Sequence, residues 1–259
     1  KFFFKLMDHI LDFWNNQADT HKTSHSASWG DLFMVEIERD FIAKQLKNTS
    51  PNNVLDCGTS NGHSLIDLAK EFPNIQFAGF DFSESMVEMF KSSLNKEPVI
   101  NISTPFKADI RDLSSLNSNF DFIFTTRVLI NLPTWEEQKE GLNQMLNRLS
   151  KGGKLIIMEG FWEPLCNLNS LRLSANLQPL REHDFNRYLK KEMLEIFLSD
   201  SKLDFVNVDF SSTYYLLTRF VRETIGADKF DQAYTSSFNL NAKKLHNDYF
   251  DYARKNEFG

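Results

Sequence analysis

Apolar positions along the chain change rhythm three times. Residues 1–18 set Phe3, Leu6, Met7, Ile10, Leu11 and Trp14 at helical spacing, which predicts an amphipathic helix. Residues 19–30 are polar and rich in Ser, Thr and His, and predict a loop. Helical period returns over 31–47 through Leu32, Val35, Ile37, Phe41, Ile42 and Leu46, until Ser50-Pro51-Asn52-Asn53 breaks it. From there, short apolar runs alternate with helical ones. Strands are expected at Val54–Cys57, Ile75–Phe80, Ile102–Ala108, Phe120–Thr126 and Lys154–Glu159. Helices are expected at His63–Phe72, at Glu84–Leu94 with Ser83 as N-cap, and at Trp135–Leu149 with Gly152-Gly153 closing it as a C-cap. This alternation predicts a parallel sheet with helices on both faces.

After Gly160 the rhythm changes again. Residues 161–201 read as two helices, the second near 186–198, an insertion placed to roof the sheet's carboxyl edge. Leu203–Phe210 and Thr213–Phe220 read as two strands joined by a very short turn, hence antiparallel. Residues 221–259 are polar and mostly helical in pattern. No repeat and no linker marks a second domain. The expectation is one α/β domain over 1–259, a doubly wound, mostly parallel sheet of seven strands with an antiparallel strand 7. It would carry N-terminal helices and a loop over 1–48 and a helical cap over 161–201.

Composition narrows the function. The 259 residues are 41% hydrophobic, enough for a sizeable core. A net charge of −6 disfavours a nucleic-acid partner, whose affinity would come from Lys and Arg on phosphates. Cys57 and Cys166 give neither a disulfide framework nor a metal spacing, and the six His show no ligand pattern, so no metal is expected. No apolar run approaches the roughly 20 residues that span a bilayer, and Lys1-Phe2-Phe3-Phe4-Lys5 is too short for a signal core. The chain begins at Lys1 rather than Met, and a processed or incomplete N-terminus is expected. A cytoplasmic protein, monomeric or homodimeric, without a membrane partner is expected.

The most informative stretch is Val54-Leu55-Asp56-Cys57-Gly58-Thr59-Ser60-Asn61-Gly62-His63-Ser64. An apolar run ends in Asp56, glycines follow at 58 and 62, and a helical pattern begins at once. A second run, Ile75–Phe80, ends in Asp81 about one strand–helix–strand unit later. There is no G-x-G-x-x-G and no G-x-x-x-x-G-K-[ST], so dinucleotides and nucleoside triphosphates are disfavoured. Phe106–Leu113 carries Asp109, Phe120–Leu132 carries the segment after the fourth strand, and Leu149–Glu159 has the form L-x-x-G-G-x-L. Together these resemble the class I S-adenosylmethionine-dependent methyltransferases over residues 50–160, continuing into 203–220. Ser60 stands where that family has its middle glycine. The leader Trp14–Gln17 and His25–Asp31, with Arg127–Leu132, is similar to bacterial surface-polysaccharide and small-molecule methyltransferases.

The resemblance implies S-adenosylmethionine as cofactor. Asp56, Gly58, Ser60 and Gly62 would hold its amino-acid end, and Asp81 its ribose hydroxyls. Phe82 and Met86 would pack on adenine, Asp109 would receive its amino group, and Ile110 and Thr126 would be further cofactor contacts; Trp14 and Trp29 would wall the methionine end or else anchor to the core. The geometric rule that ligands sit beyond the carboxyl ends of parallel strands picks acceptor-side candidates. These are Arg127, Asn131 and Tyr214 for substrate, with His25 and Glu159 for catalysis. Bland readings stand beside these. His25 in a Ser/Thr loop is either a turn residue or a base, Arg127 either a structural ion pair or an anion contact, and Asn131 either a cap or a ligand contact. Tyr214 and Tyr215 are packing residues with one facing the pocket. His63, Trp14, Arg172, His183 and Arg187 are weaker candidates. The expected activity is methyl transfer to a small polar acceptor: a hydroxyl of a sugar, sugar nucleotide or phosphorylated capsule or polysaccharide precursor. The rivals are N-methylation of a small amine, a non-catalytic S-adenosylmethionine binder, an NAD enzyme, and a nucleic-acid methyltransferase. The last lacks an Asn/Asp-Pro-Pro-Tyr-type motif where Thr125–Val128 stands.

Overall fold

β1 (Asn53–Cys57) lies at the centre of a five-stranded sheet. Its Val54, Leu55 and Cys57 are fully buried, as a strand covered on both faces requires. The computed structural model describes residues 2–229 and 231–255. Strand order is β3-β2-β1-β4-β5 and every pairing is parallel. β2 is Gln76–Asp81, β3 is Phe106–Lys107, β4 is Phe120–Thr126 and β5 is Leu149–Met158. Register sets Asp56 beside Gly79 and Phe124, and Cys57 beside Phe80 and Thr125. The strands therefore end together, with Asp56 and Asp81 on neighbouring strands at one edge.

Helices α1 (Phe2–His21), α2 (Leu32–Thr49), α3 (His63–Glu71), α4 (Glu84–Lys96) and α5 (Trp135–Asn147) follow the sequence pattern closely. Phe3, Leu6 and Met7, expected on the apolar face of α1, lie outside the residues whose side chains are described. Ser83 caps α4 as expected, its hydroxyl accepting the Met86 N–H at 3.1 Å. Met86, Val87 and Phe90 form that helix's buried face.

Two glycines differ from expectation. α5 ends at Asn147, so Gly152-Gly153 are not its C-cap. They lie in a bulge of β5, where Phe120 faces Leu149 but Phe122 faces Lys154. A Cβ on Gly153 would come within 2.9 Å of the Asp121 and Ser150 carbonyl oxygens. The third strand is also shorter than Ile102–Ala108, keeping only Phe106–Lys107 and an isolated bridge at Ile102.

Contacts cluster into two compact units. The first joins Lys1–Trp29, Ile42–Gly160 and Glu182–Leu189 and contains the sheet. The second joins Gly30–Phe41, Phe161–Arg181 and Lys190–Gly259. It holds α6 (Trp162–Ser174), α7 (Lys191–Asp200), α8 (Ser212–Leu216), a π-helical turn at Leu217–Val221, α9 (Arg222–Thr224) and α10 (Ser237–Lys255). The expected antiparallel strands are absent among the described residues: 203–210 has no regular secondary structure, and 213–220 is helical. The reason is visible in burial. Tyr214, Thr218 and Arg222 are buried at intervals of one helical turn, and the Thr218 hydroxyl donates to the Tyr214 carbonyl at 2.7 Å. Asp31, fully buried, accepts the Tyr214 hydroxyl at 2.7 Å and the Arg219 guanidinium at 2.5 Å, giving this unit a charged centre.

Gly62 and Gly152 share a left-handed φ of +78° but differ in surroundings. A Cβ on Gly62 would meet the Phe90 ring at 2.1 Å, whereas nothing lies within 4 Å of one on Gly152. Gly152→Ala should cost about 1 kcal/mol, the backbone term alone. Gly62→Ala should cost roughly 3 kcal/mol or more by urea denaturation, because a buried ring must also move. Equal losses would contradict this placement.

Candidate functional site

The loop that leaves β1 is built on hydrogen bonds to β2. The Phe80 carbonyl accepts both Gly58 N–H and Thr59 N–H at 2.9 Å. This sharp turn needs φ of +81° at Gly58, +53° at Ser60 and +78° at Gly62. Ser60 therefore adopts the left-handed conformation of the glycine it replaces, at a cost of about 1 kcal/mol. Gly58 has a second reason to lack a side chain, since a Cβ there would lie 2.3 Å from Val128 Cγ2. In this structure, then, the two glycines make room for Val128 and Phe90 of the protein itself.

Asp81 completes the loop. Its carboxylate accepts Ser60 N–H at 2.8 Å and Ser83 N–H at 2.9 Å, so it ties the β1 loop to the start of α4. Asp56, next to the last residue of β1, is buried on the neighbouring strand. Both acids are shifted. Burial pushes Asp56 up to about 7, with Asp81's charge adding to the rise. Burial likewise pushes Asp81 up to about 6, opposed by the backbone N–H groups of Ser83, Ser60 and Phe82. Two desolvated acids at one edge form a place that a cationic ligand rich in hydroxyl donors would stabilise, by lending charge and hydrogen bonds to their ionised forms.

The expected loop crosses this edge. Ser24 caps a 3₁₀ turn at His25–Ala27, and Ala27 packs with Ala18 and Met86 in a buried cluster. Asn61, which sequence reasoning passed over, is 2% exposed and donates from Nδ2 to the Lys22 carbonyl at 2.8 Å and the Ser24 carbonyl at 2.7 Å. His63 Nε2 reaches the Thr23 carbonyl, and the His25 ring lies against it with centroids 3.5 Å apart. Trp29 ends the loop, its ring 4.6 Å from the Arg127 guanidinium carbon. Arg127 follows β4 with φ +56°, and Thr126 and Phe82 are half-buried at strand ends of the same edge.

Other expected site residues are occupied elsewhere. Met86 is fully buried, packed with Ala18 and Ala27, and its Sδ accepts the Ser60 hydroxyl of the β1 loop at 3.4 Å. Ile110 is buried toward α5, where its Cγ2 lies 3.5 Å from a Cβ built on Gly141. Asp109 is held by Arg111, whose Nη2 donates to Oδ2 at 2.6 Å while Nη1 bonds Glu137 at 2.6 Å. Glu159 is no free base. Its carboxylate accepts Val128 N–H and Leu129 N–H at 3.0 Å and Ile130 N–H at 3.3 Å, capping the turn after β4. Burial pushes it to about 7 against those bonds and the charge of Arg127. Asn131 donates to the Arg127 carbonyl at 2.9 Å in the same turn. Tyr214 begins no strand. It is a buried helical residue of the second unit, bonded to Asp31, and Arg172 pairs with Glu223 there. His183 joins Phe13 and Phe185 in an aromatic cluster, and Arg187 bonds neighbouring carbonyls. Among the described residues no group of His, Cys, Asp or Glu is arranged for a metal, and no helix is long and apolar enough to cross a membrane.

Comparison with known proteins agrees with this edge. Residues 54–153 match the family described as a methyltransferase domain. The chain is 27% identical over 139 residues to the demethylmenaquinone methyltransferase of Porphyromonas gingivalis, covering 53% of this chain and 54% of that protein. It is 28% identical over 159 residues to a tRNA (guanine-N(7)-)-methyltransferase of Prochlorococcus marinus, covering 55% of this chain and 74% of that protein. Among solved structures, an O-methyltransferase family protein from Burkholderia thailandensis superposes with a TM-score of 0.54 at 13% identity, over 68% of this chain and 53% of that one, and shares the fold. The chain thus spans about half the length of the first of these relatives. The stretch similar to a methyltransferase domain, residues 54–153, contains β1, the loop after it, Asp81 and β4.

The raised acids set a pH dependence. Asp56 binds its proton more tightly folded than unfolded, so its ionisation costs nothing below about pH 4. As pH rises to about 7 the unfolded chain ionises first, and stability is lost over that window. Asp56→Asn, neutral and of the same shape, should match wild type near pH 4 and exceed it by about 4 kcal/mol at pH 8. Parallel stability–pH curves for the two proteins would show that burial at this position does not disfavour the charge.

Proposed function

We propose that the chain is an S-adenosylmethionine-dependent methyltransferase that acts on a small polar acceptor. The favoured acceptor is a hydroxyl of a sugar, sugar nucleotide or phosphorylated polysaccharide precursor. The observation that carries this reading is Asp81, a carboxylate at the end of β2 held by Ser60 N–H and Ser83 N–H, beside buried Asp56 and the tight loop after β1.

The chemistry follows from what each group can do. S-adenosylmethionine supplies an electrophilic methyl group on a sulfonium. Asp81 would accept from the ribose diol with the lone pairs its two N–H donors leave. Asp56 would balance the ammonium end, and both acids gain from the positive charge because each is desolvated. Methyl transfer is an in-line displacement, so the protein's task is to align acceptor and methyl and to exclude water. A hydroxyl acceptor must lose a proton as it attacks. With Glu159 committed to the post-β4 turn, we assign that proton to His25, half-buried on the loop that crosses the edge. Arg127, lying on Trp29, would meet an anionic group of the acceptor. The relatives' names specify a quinone and a tRNA guanine, acceptors so different that they agree only on methyl transfer. The preference for a small polar acceptor rests on this chain's own His25, Trp29 and Arg127.

Titration calorimetry with S-adenosylhomocysteine tests the donor site. Wild type should bind, and Asp81→Ala should weaken binding at least about tenfold, because a charge-assisted contact of roughly 1.5–3 kcal/mol is lost. Indistinguishable binding by the two proteins would remove the basis of the reading. His25→Gln should slow methylation of a hydroxyl acceptor and leave that of an unprotonated amine nearly unchanged.

A further inference from the structure

Three successive carbonyls of one segment, those of Lys22, Thr23 and Ser24, are taken by two side chains of the β1 loop. Asn61 takes the outer two and His63 the middle one. Lys22 is turned into the left-handed region, φ +51°, which places its carbonyl for this contact at a conformational cost to the chain. At the other end of the segment, Trp29 lies over Arg127, which follows β4. β1 and β4 are neighbours in the sheet. Residues 22–29 are therefore a strap that passes from the turn after β1 to the turn after β4, across the carboxyl ends where an open α/β sheet receives its ligand.

The strap's attachments differ in kind. Ala27, within the strap, packs into the cluster with Ala18 and Met86, and on the preceding helix Asn15 Oδ1 accepts the Ser83 hydroxyl at 2.6 Å. Away from Ala27, the contacts of the segment include side-chain-to-carbonyl bonds, the His25–His63 ring contact and the Trp29–Arg127 cation–π contact. Such bonds contribute little net free energy each, and segments that depend on them open locally far more easily than core elements. Asn61 is the central one. It is 2% exposed, both its bonds go to the strap, and it sits between Ser60, which donates to Asp81, and Gly62, which starts α3. Any ligand that presses on the Ser60–Asp81 contact also presses on the residue that ties the strap.

We infer that Asn61, supported by His63, is a positioning residue that latches residues 22–29 over the cofactor edge, and that release of the demethylated cofactor requires this latch to open. The inference rests on the donor site proposed above. Asn61 touches no reacting atom; it acts through the strap.

The test uses Asn61→Ala and Asn61→Asp in the full chain. Asp has the shape of Asn but turns the two donors into an anion facing two carbonyl oxygens, so it should open the strap more than Ala does. Amide hydrogen exchange on the protein without cofactor should quicken over residues 24–29 in both variants, more in Asn61→Asp, while β1 stays protected. Stopped-flow dissociation of S-adenosylhomocysteine should speed up by about tenfold or more, with association changed much less. Such an effect on the off-rate is one that a merely structural loss would not confine. Faster exchange of the strap with an off-rate within twofold of wild type would overturn the latch as a gate. Unchanged exchange would overturn Asn61 as the latch. If wild type itself takes up no S-adenosylhomocysteine, the donor site falls and the gate with it. The exchange result would then still separate a strap that Asn61 holds from one that it does not.

Discussion

The carboxylate of Asp81 is the contact on which the rest of the edge depends. It ends β2, and by accepting Ser60 N–H and Ser83 N–H it fixes the loop after β1 and the first turn of α4 together. Without an acceptor there, two buried or half-buried N–H groups would be left unsatisfied where the backbone is already turned left-handed at Ser60. With it, Ser60 holds a conformation that ordinarily asks for glycine. The strain at Ser60 and the desolvation of Asp81 are stored in one small place, which is how binding sites are commonly made.

The neighbouring acids divide their work by what surrounds them. Glu159 has its oxygens filled by three backbone N–H groups of the turn after β4, and is spent on holding that turn in shape. Asp109 is neutralised by Arg111. Asp56 and Asp81 are the two whose environment disfavours their charge without an opposing cation in contact. The apoprotein thus carries an electrostatic deficit at one spot of the sheet's edge, and a cationic ligand would remove it. In the proposed site the donor would rest on strand ends and a tight turn, beneath the strap of residues 22–29.

Much of this was legible in the sequence because strands announce themselves. The runs ending in Asp56 and Asp81 are buried in the sheet, and each acid falls at a strand's carboxyl end as the pattern predicts. Capping by Ser83 was legible for the same local reason. What failed was non-local. Thr213–Phe220 alternates like a strand, but its buried residues are Tyr214, Thr218 and Arg219, whose partner Asp31 lies far away in sequence. Met86 lies on the buried face of α4, and its neighbours Ala18, Ala27 and Ser60 come from distant parts of the chain. Asn61 gave no periodic signal. Its meaning comes from carbonyls of Lys22 and Ser24, near the other end of the chain's first loop.

The claim that two charge-starved acids await a cationic, hydroxyl-bearing cofactor predicts a movement of protons. At pH 6.5, acids near 7 and 6 together hold about one proton, and both should ionise when the cofactor binds. Calorimetry of S-adenosylmethionine binding at pH 6.5, in two buffers of different ionisation enthalpy, counts that proton. Release of about one proton, falling toward zero at pH 8.5, is the predicted result. Binding without proton release, or with uptake, would contradict the account.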